Sequence, residues 1–323
     1  MGKSQRLLLL SVLLLGVLAA CGAFFHHVYS RDFSARQNEH RRKFGAVYMT
    51  LNNPFYEIID EEIRTAVENQ GDVLLSRDPA LSVERQTQEI QELIDSGIDV
   101  LFLNAVDWKE MGPALELAYK AHVPVVVIDT DVQDDKYVAC TVLSDNYLAG
   151  VECAQHLVSH ARGGNIALLK HSEAKSAVDR IRGFLDTIAQ HPEFRVVDEA
   201  ECKGQLELAM PAMEQMLEKQ PEINIVMALN DPAALGAIAA LQHAGRLDDV
   251  MVYGVDGVPE TKEMIVNGRM TATAGQSPRQ IGRLAVQNAY RILYGEQPQK
   301  VIRLKTNLIT QQNVREYNIG GWD

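Results

Sequence analysis

Amides and acids stand at the ends of several apolar stretches of this sequence. The segment TLNNPFYEII contains two asparagines and a proline followed by two aromatic residues, where an apolar stretch passes into an amphipathic one. Further polar residues follow other apolar stretches or begin the segment DRIRGF: Asn104, Asp107, Asp129, Asp131, Asn230, Asp231, Asp256, Gln276 and Arg180. Such a set can donate and accept many hydrogen bonds but contains few nucleophiles. It therefore favours the binding of a polar molecule over covalent catalysis.

The elements that must position these residues alternate between strands and helices. Eleven short apolar runs, among them GAVYMTL, VPVVVIDT and VIRLKTNLI, have the composition of buried strands. Amphipathic stretches between them predict helices, for example over residues 82–96, 108–121 and 278–293. Apolar strands joined by helices indicate parallel sheets covered on both faces, and ligands bind at the carboxyl ends of such strands. We therefore predict an α/β protein with two doubly wound, parallel-sheet, Rossmann-like lobes.

Composition and charge narrow the classes of function. The chain has 323 residues, of which 46% are hydrophobic and 23% charged, as is typical of a globular protein with room for two domains. A formal net charge of -12 and the lack of a Lys/Arg stripe argue against nucleic acid as a partner. We expect no metal and no cofactor, since no metal-binding spacing or phosphate loop occurs. Cys140 and Cys153 are predicted to be buried thiols, while a disulfide among Cys140, Cys153 and Cys202 stays open.

The N-terminus has the composition of a targeting segment or a membrane anchor. Lys3 and Arg6 precede an uncharged run from Leu7 to Phe25. Within it, LAAC resembles the cleavage site of bacterial lipoproteins, which would leave Cys21 as a lipidated N-terminus. Alternatively, the uncut run is long enough to cross a bilayer as a helix. Both interpretations predict a tethered extracytoplasmic protein, with residues 1–29 as signal or anchor and residues 30–43 as a charged linker.

Several motifs taken together resemble those of a known family. The motifs TLNNPFY, VPVVVIDTD, DRIRGF, VYGVDGVPE and ATAGQSPRQIG are similar, in order and spacing, to those of the ribose-binding-protein group of type I periplasmic sugar-binding proteins. The sugar-binding cores of LacI-type repressors are built alike. The resemblance implies two lobes joined by a three-segment hinge, with a ligand clamped between them. By motif alignment the first lobe would comprise residues 44–144 plus 277–305, and the second residues 145–276 plus 306–323.

The resemblance also implies a set of ligand-binding residues. Asn53 is similar to the family's hydrogen-bonding amide, and Phe55 and Tyr56 to its stacking aromatic residues. The other motifs add a carboxylate from each lobe, an arginine and two amides: Asp129, Asp256, Arg180, Asn230 and Gln276. Carboxylates would accept from adjacent sugar hydroxyls, the arginine and amides would donate, and the rings would cover a C–H face. Without the resemblance, Asn53 reads as a helix cap and the two rings as packing for the first helical turn.

Three positions depart from the pattern of ribose binders. Thr130 stands where ribose binders carry an arginine, Val255 stands where they carry an aromatic residue, and no ring lies near Gly204. Up to two rings and one guanidinium are therefore missing. The resemblance still implies a monosaccharide or similar polyol, such as a different pentose, a hexose, an inositol or an autoinducer-like furanose, in preference to ribose itself.

These expectations combine into a binding protein without catalytic activity. The resemblance implies a solute-binding protein that presents its ligand to an ABC-type importer. An alternative is a sensory binding protein that docks on a membrane histidine kinase or a chemoreceptor, which an uncut anchor would favour. A sugar-modifying enzyme has the least support, because no Ser/His/Asp, metal or phosphate motif accompanies the acids.

Overall fold

Twelve strands and nine helices build the part of the chain that the structure describes. The structure is a computed structural model and describes residues 41–322, together with residues 2, 16 and 20–22. From Lys43 onward the chain forms one compact unit, separate from Met1–Arg42. None of the helices among the described residues combines the length and apolarity needed to cross a membrane. Most of the predicted signal or anchor, residues 1–29, and of the predicted linker, residues 30–43, lies outside the described residues.

The first sheet consists of six parallel strands. These are β1 (Lys43–Val47), β2 (Val73–Arg77), β3 (Val100–Leu103), β4 (Val125–Ile128), β5 (Val138–Ser144) and β11 (Val301–Leu304). They lie in the order β11-β5-β4-β3-β1-β2. The helices that cover them are α1 (Pro54–Glu68), α2 (Val83–Asp95), α3 (Gly112–Lys120) and α9 (Pro278–Leu293). Because α1 and α9 pack in one apolar cluster and α2 and α3 in another, both faces of the sheet are buried.

A second sheet of six strands follows the same plan. Its strands are β6 (Gly164–Lys170), β7 (Phe194–Glu201), β8 (Ile225–Ala228), β9 (Met251–Asp256), β10 (Ala272–Gly275) and β12 (Asn307–Thr310), in the order β12-β10-β9-β8-β6-β7. Its helices are α4 (Asn146–His160), α5 (Lys175–Ile188), α6 (Leu206–Lys219), α7 (Asp231–His243) and α8 (Pro259–Val266). All strands are parallel except β12, which pairs antiparallel with β10.

The chain crosses between the two sheets three times. β5 leads into α4 through Asp145, β10 leads into α9 through Gln276 and Ser277, and β11 leads into β12 through Lys305 and Thr306. We define each sheet with the helices that pack on it as a lobe, the first containing β1 and the second containing β6. The predicted fold class, two doubly wound α/β lobes, is confirmed.

Two predicted elements are wrong in detail. The run VIRLKTNLI has the composition of a single strand, but it forms β11 and β12 in different sheets because the backbone passes between the lobes at residues 305–306, where motif alignment places the lobe boundary. Since β12 enters its sheet at the carboxyl end of β10, with Asn307 beside Gly275, it has to run antiparallel. The helix expected from Trp108 begins only at Gly112, because Pro113 lacks an N–H and is accommodated in the first turn of a helix but not in its interior.

All cysteines among the described residues are free. Cys140, Cys153 and Cys202 are buried thiols, and Cys21 is exposed. The prediction that Cys140 and Cys153 are buried thiols is confirmed. Lipidation of Cys21 stays a prediction.

Candidate ligand-binding site

A cavity of about 320 Å³ lies between the lobes, at the carboxyl ends of the strands. Its lining includes Asn53, Phe55, Tyr56, Asp129, Arg180, Asn230 and Asp256, which are all but one of the residues predicted to bind ligand. The exception, Gln276, is buried behind this lining, and its Nε2 donates to Asp256 Oδ1 at 2.7 Å. The fold therefore brings the predicted residues together from both halves of the chain.

The loop between β1 and α1 supplies the aromatic side of the cavity. Asn53 caps α1, since its Oδ1 accepts from the Phe55 N–H at 3.0 Å, and Pro54 occupies the first helical turn. This start of the helix places the Phe55 and Tyr56 rings edge to face, with centroids 5.7 Å apart. Phe55 also packs against Trp322, at a centroid distance of 5.8 Å. Asn53 thus both caps the helix and lines the cavity. The Phe55 and Tyr56 rings likewise pack against the first helical turn and line the cavity.

Asp129 follows β4 and presents one carboxylate oxygen without a partner. Its Oδ2 accepts from the Tyr56 hydroxyl and from Asn104 Nδ2, both at 3.3 Å, whereas Oδ1 is buried with no hydrogen bond to any described residue. Asn104 is held in turn by the Met49 N–H, which donates to its Oδ1 at 2.9 Å. Burial raises the pKa of Asp129, and the Arg180 guanidinium acts in the opposite direction. Oδ1 is therefore positioned to accept a hydrogen bond from a ligand.

Arg180 on α5 is fixed by groups from three other elements. A Cβ on Gly150 would lie 1.8 Å from the Arg180 carbonyl oxygen, so glycine in α4 is what allows the two helices to approach this closely. Arg180 Nε donates to Asn146 Oδ1 at 2.8 Å and Nη1 donates to the Leu229 carbonyl at 3.0 Å. Nη1 also lies 3.6 Å from Asp256 Oδ1. The guanidinium is thereby held as a buried cation beside the two cavity carboxylates.

Asp256 ends β9 and repeats the arrangement of Asp129 in the second lobe. Oδ1 accepts from Gln276, while Oδ2 is buried and has no partner among the described residues. Burial raises the pKa of Asp256 well above its ordinary value, and Arg180 opposes this shift. The backbone is unusual at both carboxylates, with φ of 66° at Asp129 and 140° at Asp256. Such values are strained for a residue with a Cβ and occur preferentially at functional sites.

Asn230 and Gly204 form a polar part of the second-lobe wall. Asn230 caps α7 by accepting from the Ala233 N–H at 3.0 Å, and its Nδ2 donates to the Gly204 carbonyl at 3.0 Å. At Gly204 φ is 67°, and a Cβ would lie 2.8 Å from Asn230 Nδ2. The Gly204 segment therefore contributes backbone and no ring to this wall. Asp231, the next residue, accepts from the Gly257 and Val258 N–H groups and so fixes the loop after Asp256.

The two lobes also contact each other directly beside the cavity. The Trp108 N–H donates to the Glu173 carbonyl at 3.0 Å, and its indole Nε1 donates to the Ser172 carbonyl at 3.3 Å. Thr130 Oγ1 accepts from the Ser176 N–H at 3.1 Å. Thr130, the residue in place of the ribose binders' arginine, therefore joins the lobes. Val255 lies in the core of the second lobe, away from the cavity lining.

Sequence reasoning missed residues that complete the site. Asn146 orients Arg180, and its only signal is its place directly after Asp145 in the motif LSDNYLAG. His171 and Lys203 line the cavity. His171 follows β6 as Asn230 follows β8, so its position at a strand end was the available signal.

Unpaired buried polar atoms concentrate around this cavity. Among the described residues they include Asp129 Oδ1, Asp256 Oδ2, Gln276 Oε1 and His171 Nε2. Buried polar atoms without partners are rare because each one costs free energy. No group of three or more His, Cys, Asp or Glu residues in the described part of the chain is arranged to hold a metal ion. The arrangement suits a neutral ligand that carries several hydroxyl groups.

Comparison with known sequences identifies relatives over most of the chain. Residues 44–297 match the family described as periplasmic binding protein domain. The ribose import binding protein RbsB of Bacillus subtilis (strain 168) is 31% identical over 277 residues, which cover 85% of this chain and 89% of that protein.

Solved structures match the same region. An ABC transporter solute binding protein from Mycobacterium smegmatis with bound glycerol has a TM-score of 0.81 and 30% identity, covering 88% of this chain and 100% of that chain. The binding component of the arabinose ABC transporter from Shewanella sp. ANA-3, bound to L-arabinofuranose, has a TM-score of 0.80 and 25% identity. That match covers 85% of this chain and 93% of the other.

Proposed function

Because the chain belongs to the periplasmic binding protein family, we propose that it binds a monosaccharide or similar polyol between its lobes and presents it to an ABC-type importer. The predicted kinship with ribose-binding proteins is confirmed by the sequence relatives. These relatives are binding components of sugar importers, so the chain is a binding protein and not an enzyme.

The observation that carries the proposal is the polar chemistry of the cavity. Two buried carboxylates, Asp129 and Asp256, flank one buried guanidinium, and each keeps one oxygen without a partner among the described residues. A sugar offers adjacent hydroxyls that can donate to both carboxylates and accept from Arg180. Its C–H face can lie against Phe55 and Tyr56.

We propose a ligand other than ribose. In support, Thr130 joins the lobes where ribose binders place an arginine, Val255 is absent from the cavity lining, and Gly204 has no side chain. Solved structures of this fold hold arabinofuranose, glycerol or myo-inositol, so one fold accommodates varied polyols. A pentose, hexose or inositol fits the described contacts.

Closure around the ligand is the proposed working motion. We assign residues 44–144 plus 277–305 to the first lobe and residues 145–276 plus 306–323 to the second. The contacts from Trp108 and Thr130 to the second lobe then belong to the closed form. Rotation about the three connections would open the cavity and break them.

The proposed location is outside the cytoplasm, with the N-terminal run as tether. Lipidation at Cys21 would favour the importer role, and an uncut helix would favour docking on a sensor kinase. Mass spectrometry of the mature N-terminus distinguishes the two: a diacylated Cys21 supports the lipid tether, and an intact Leu7–Phe25 run supports the helix.

A thermal-shift screen tests the proposed function. We expect at least one of D-ribose, L-arabinose, D-galactose, D-fucose, myo-inositol and glycerol to stabilise the protein. A ligand at a hundred times its dissociation constant adds about 2.7 kcal/mol to the free energy of unfolding. Asp129→Ala and Asp256→Ala should abolish this stabilisation, while Asp134→Ala in an exposed loop of the first lobe should keep it. Equal ligand-induced shifts in all three variants would refute the site.

A further inference from the structure

His171 lies at the carboxyl end of β6, between the strand ends that carry Asn230 and Lys203. β6 is the neighbour of both β8 and β7 in the second sheet, so its end faces the same cavity as theirs. His171 is among the residues that line that cavity and also borders a second hollow beside α5, and its side chain is only 3% exposed. No motif resemblance pointed to this position.

The imidazole of His171 is not satisfied by the protein around it. Nε2 is buried and makes no hydrogen bond to any described residue. Glu173 Oε2 lies 3.6 Å from Nε2, which makes an electrostatic contact but is longer than a full hydrogen bond. Glu173 is engaged elsewhere, because Lys203 Nζ lies 3.1 Å from that same oxygen. A buried, unpaired ring nitrogen in a cavity wall is a costly feature unless a ligand completes it.

The chemistry of this ring suits a hydroxyl group. Burial lowers the pKa of His171; Lys203 acts in the same direction, and Glu173 and Glu201 oppose it. The neutral imidazole has one donor and one acceptor nitrogen and can therefore match a hydroxyl in either direction. The phenyl and phenol rings among the lining residues, Phe55 and Tyr56, both belong to the first lobe.

We infer that His171 is a specificity-determining ligand contact, through which the second lobe binds a hydroxyl group of the sugar. The inference rests on the proposed function and narrows its substrate class. The ligand is a polyol with one C–H face toward Phe55 and Tyr56 and hydroxyls directed at the second lobe. A sugar that needs an apolar wall on both sides is disfavoured.

The segment that carries His171 also joins the lobes, which couples this contact to closure. Ser172 and Glu173 accept from Trp108, and the Ser176 N–H donates to Thr130. A ligand hydroxyl bound to His171 therefore stabilises the same segment that the first lobe has to meet in the closed form.

Isothermal titration of the full-length protein with the sugar selected in the thermal-shift screen tests this inference. His171→Leu keeps the volume but removes both ring nitrogens, and we expect its dissociation constant to rise about tenfold. His156→Leu, a half-buried histidine of the second lobe outside the cavity, should bind as the wild type does. Deoxy analogues of the selected sugar supply a second readout. The analogue that lacks the contacted hydroxyl should bind the wild type more weakly than the parent sugar does. His171→Leu should bind this analogue and the parent sugar equally well.

Each outcome bears on a different statement. If the wild type binds a sugar and His171→Leu binds it equally well, the inference is wrong and the proposed function stands. If the wild type binds none of the sugars, both the proposed function and the inference about His171 are wrong. Should His171→Leu fail to fold, His171→Gln keeps a polar group in place, and we expect it to change the affinity ranking among epimeric sugars. An unchanged ranking in His171→Gln would also overturn the inference.

Discussion

The two lobes contribute different chemistry to one cavity. The first lobe brings the Phe55 and Tyr56 rings together with Asp129, whose Oδ2 is held by neutral donors. The second lobe brings Arg180 and Asp256, and behind them Asn146 and Gln276. One wall is therefore shaped by packing, and the other by charge and hydrogen bonds.

This difference gives the two lobes different roles: the rings of the first lobe supply contact area, and the charged groups of the second lobe supply selectivity. Rings cover almost any sugar face, and exchanging one for an aliphatic side chain loses a modest, graded free energy. A buried ion pair behaves differently, because removing one partner leaves the other charge buried and uncompensated. The second lobe should accordingly be the more sensitive of the two to substitution.

Arg180→Met should produce the largest effect. Arg180 lies 3.6 Å from Asp256 and opposes the raised pKa of Asp129, so its loss leaves two buried acids without this cation. We expect sugar binding to be lost and the free energy of unfolding to fall by about 3–5 kcal/mol, measured by urea denaturation. The matched control is Arg182→Met, because Arg182 lies on the same helix with an exposed side chain and pairs only across the surface with Asp186.

A compensating change sharpens the same prediction. Arg180→Met combined with Asp256→Asn removes one of the uncompensated charges and should regain part of the lost stability. If Arg180→Met and Arg182→Met unfold at the same urea concentration, the charged wall does not have the role assigned to it.

Phe55→Leu should have an intermediate effect. The leucine keeps an apolar side chain but loses the ring face and its contacts with Tyr56 and Trp322. We expect the dissociation constant of the selected sugar, measured by titration calorimetry, to rise about tenfold. Phe194→Leu, in the core of the second lobe, should leave it unchanged. A loss as complete as in Arg180→Met would erase the distinction between the two walls.

Thr130→Val should have the smallest effect. The valine keeps the shape but cannot accept from the Ser176 N–H, a bond that exists only when the lobes meet. We expect the affinity to be about fivefold weaker. The loss should come from faster dissociation, measured by stopped-flow fluorescence. Thr87→Val, within α2, serves as the control, because it removes a bond inside one helix that the Thr87 hydroxyl donates to the Val83 carbonyl. A slower association rate with unchanged dissociation would contradict the assignment of this bond to the closed form.

Much of the fold was predictable because its signals are local. Continuous apolar runs such as Val125–Ile128 are buried on both faces, and amphipathic helices lie between them. The junction of β11 and β12 was not predictable in this way, since both halves of VIRLKTNLI have strand composition and only the tertiary crossing divides them. The start of α3, by contrast, had a local signal in Pro113, which belongs in the first turn of a helix and not in its interior.

The candidate site shows the same division between local and distant information. Asp129 and Asp256 could be found because an acid directly after a buried strand is unusual. His171 occupies an equivalent position, but the scattered histidines of the sequence gave no pattern, and only the sheet order places it next to Asn230. Asn146 acts through its contact with Arg180 on a different helix, which spacing along the chain does not report.

The three short connections at Asp145, at Gln276–Ser277 and at Lys305–Thr306 have a mechanical consequence. Three chain connections between the same two lobes restrict how the lobes can move relative to one another, and we expect hinge opening to be the main motion that remains. The presence of a ligand in the cavity would therefore change mainly one quantity, the opening angle between the lobes. A partner that measures only the spacing between the rims of the two lobes can recognise occupancy without touching the ligand.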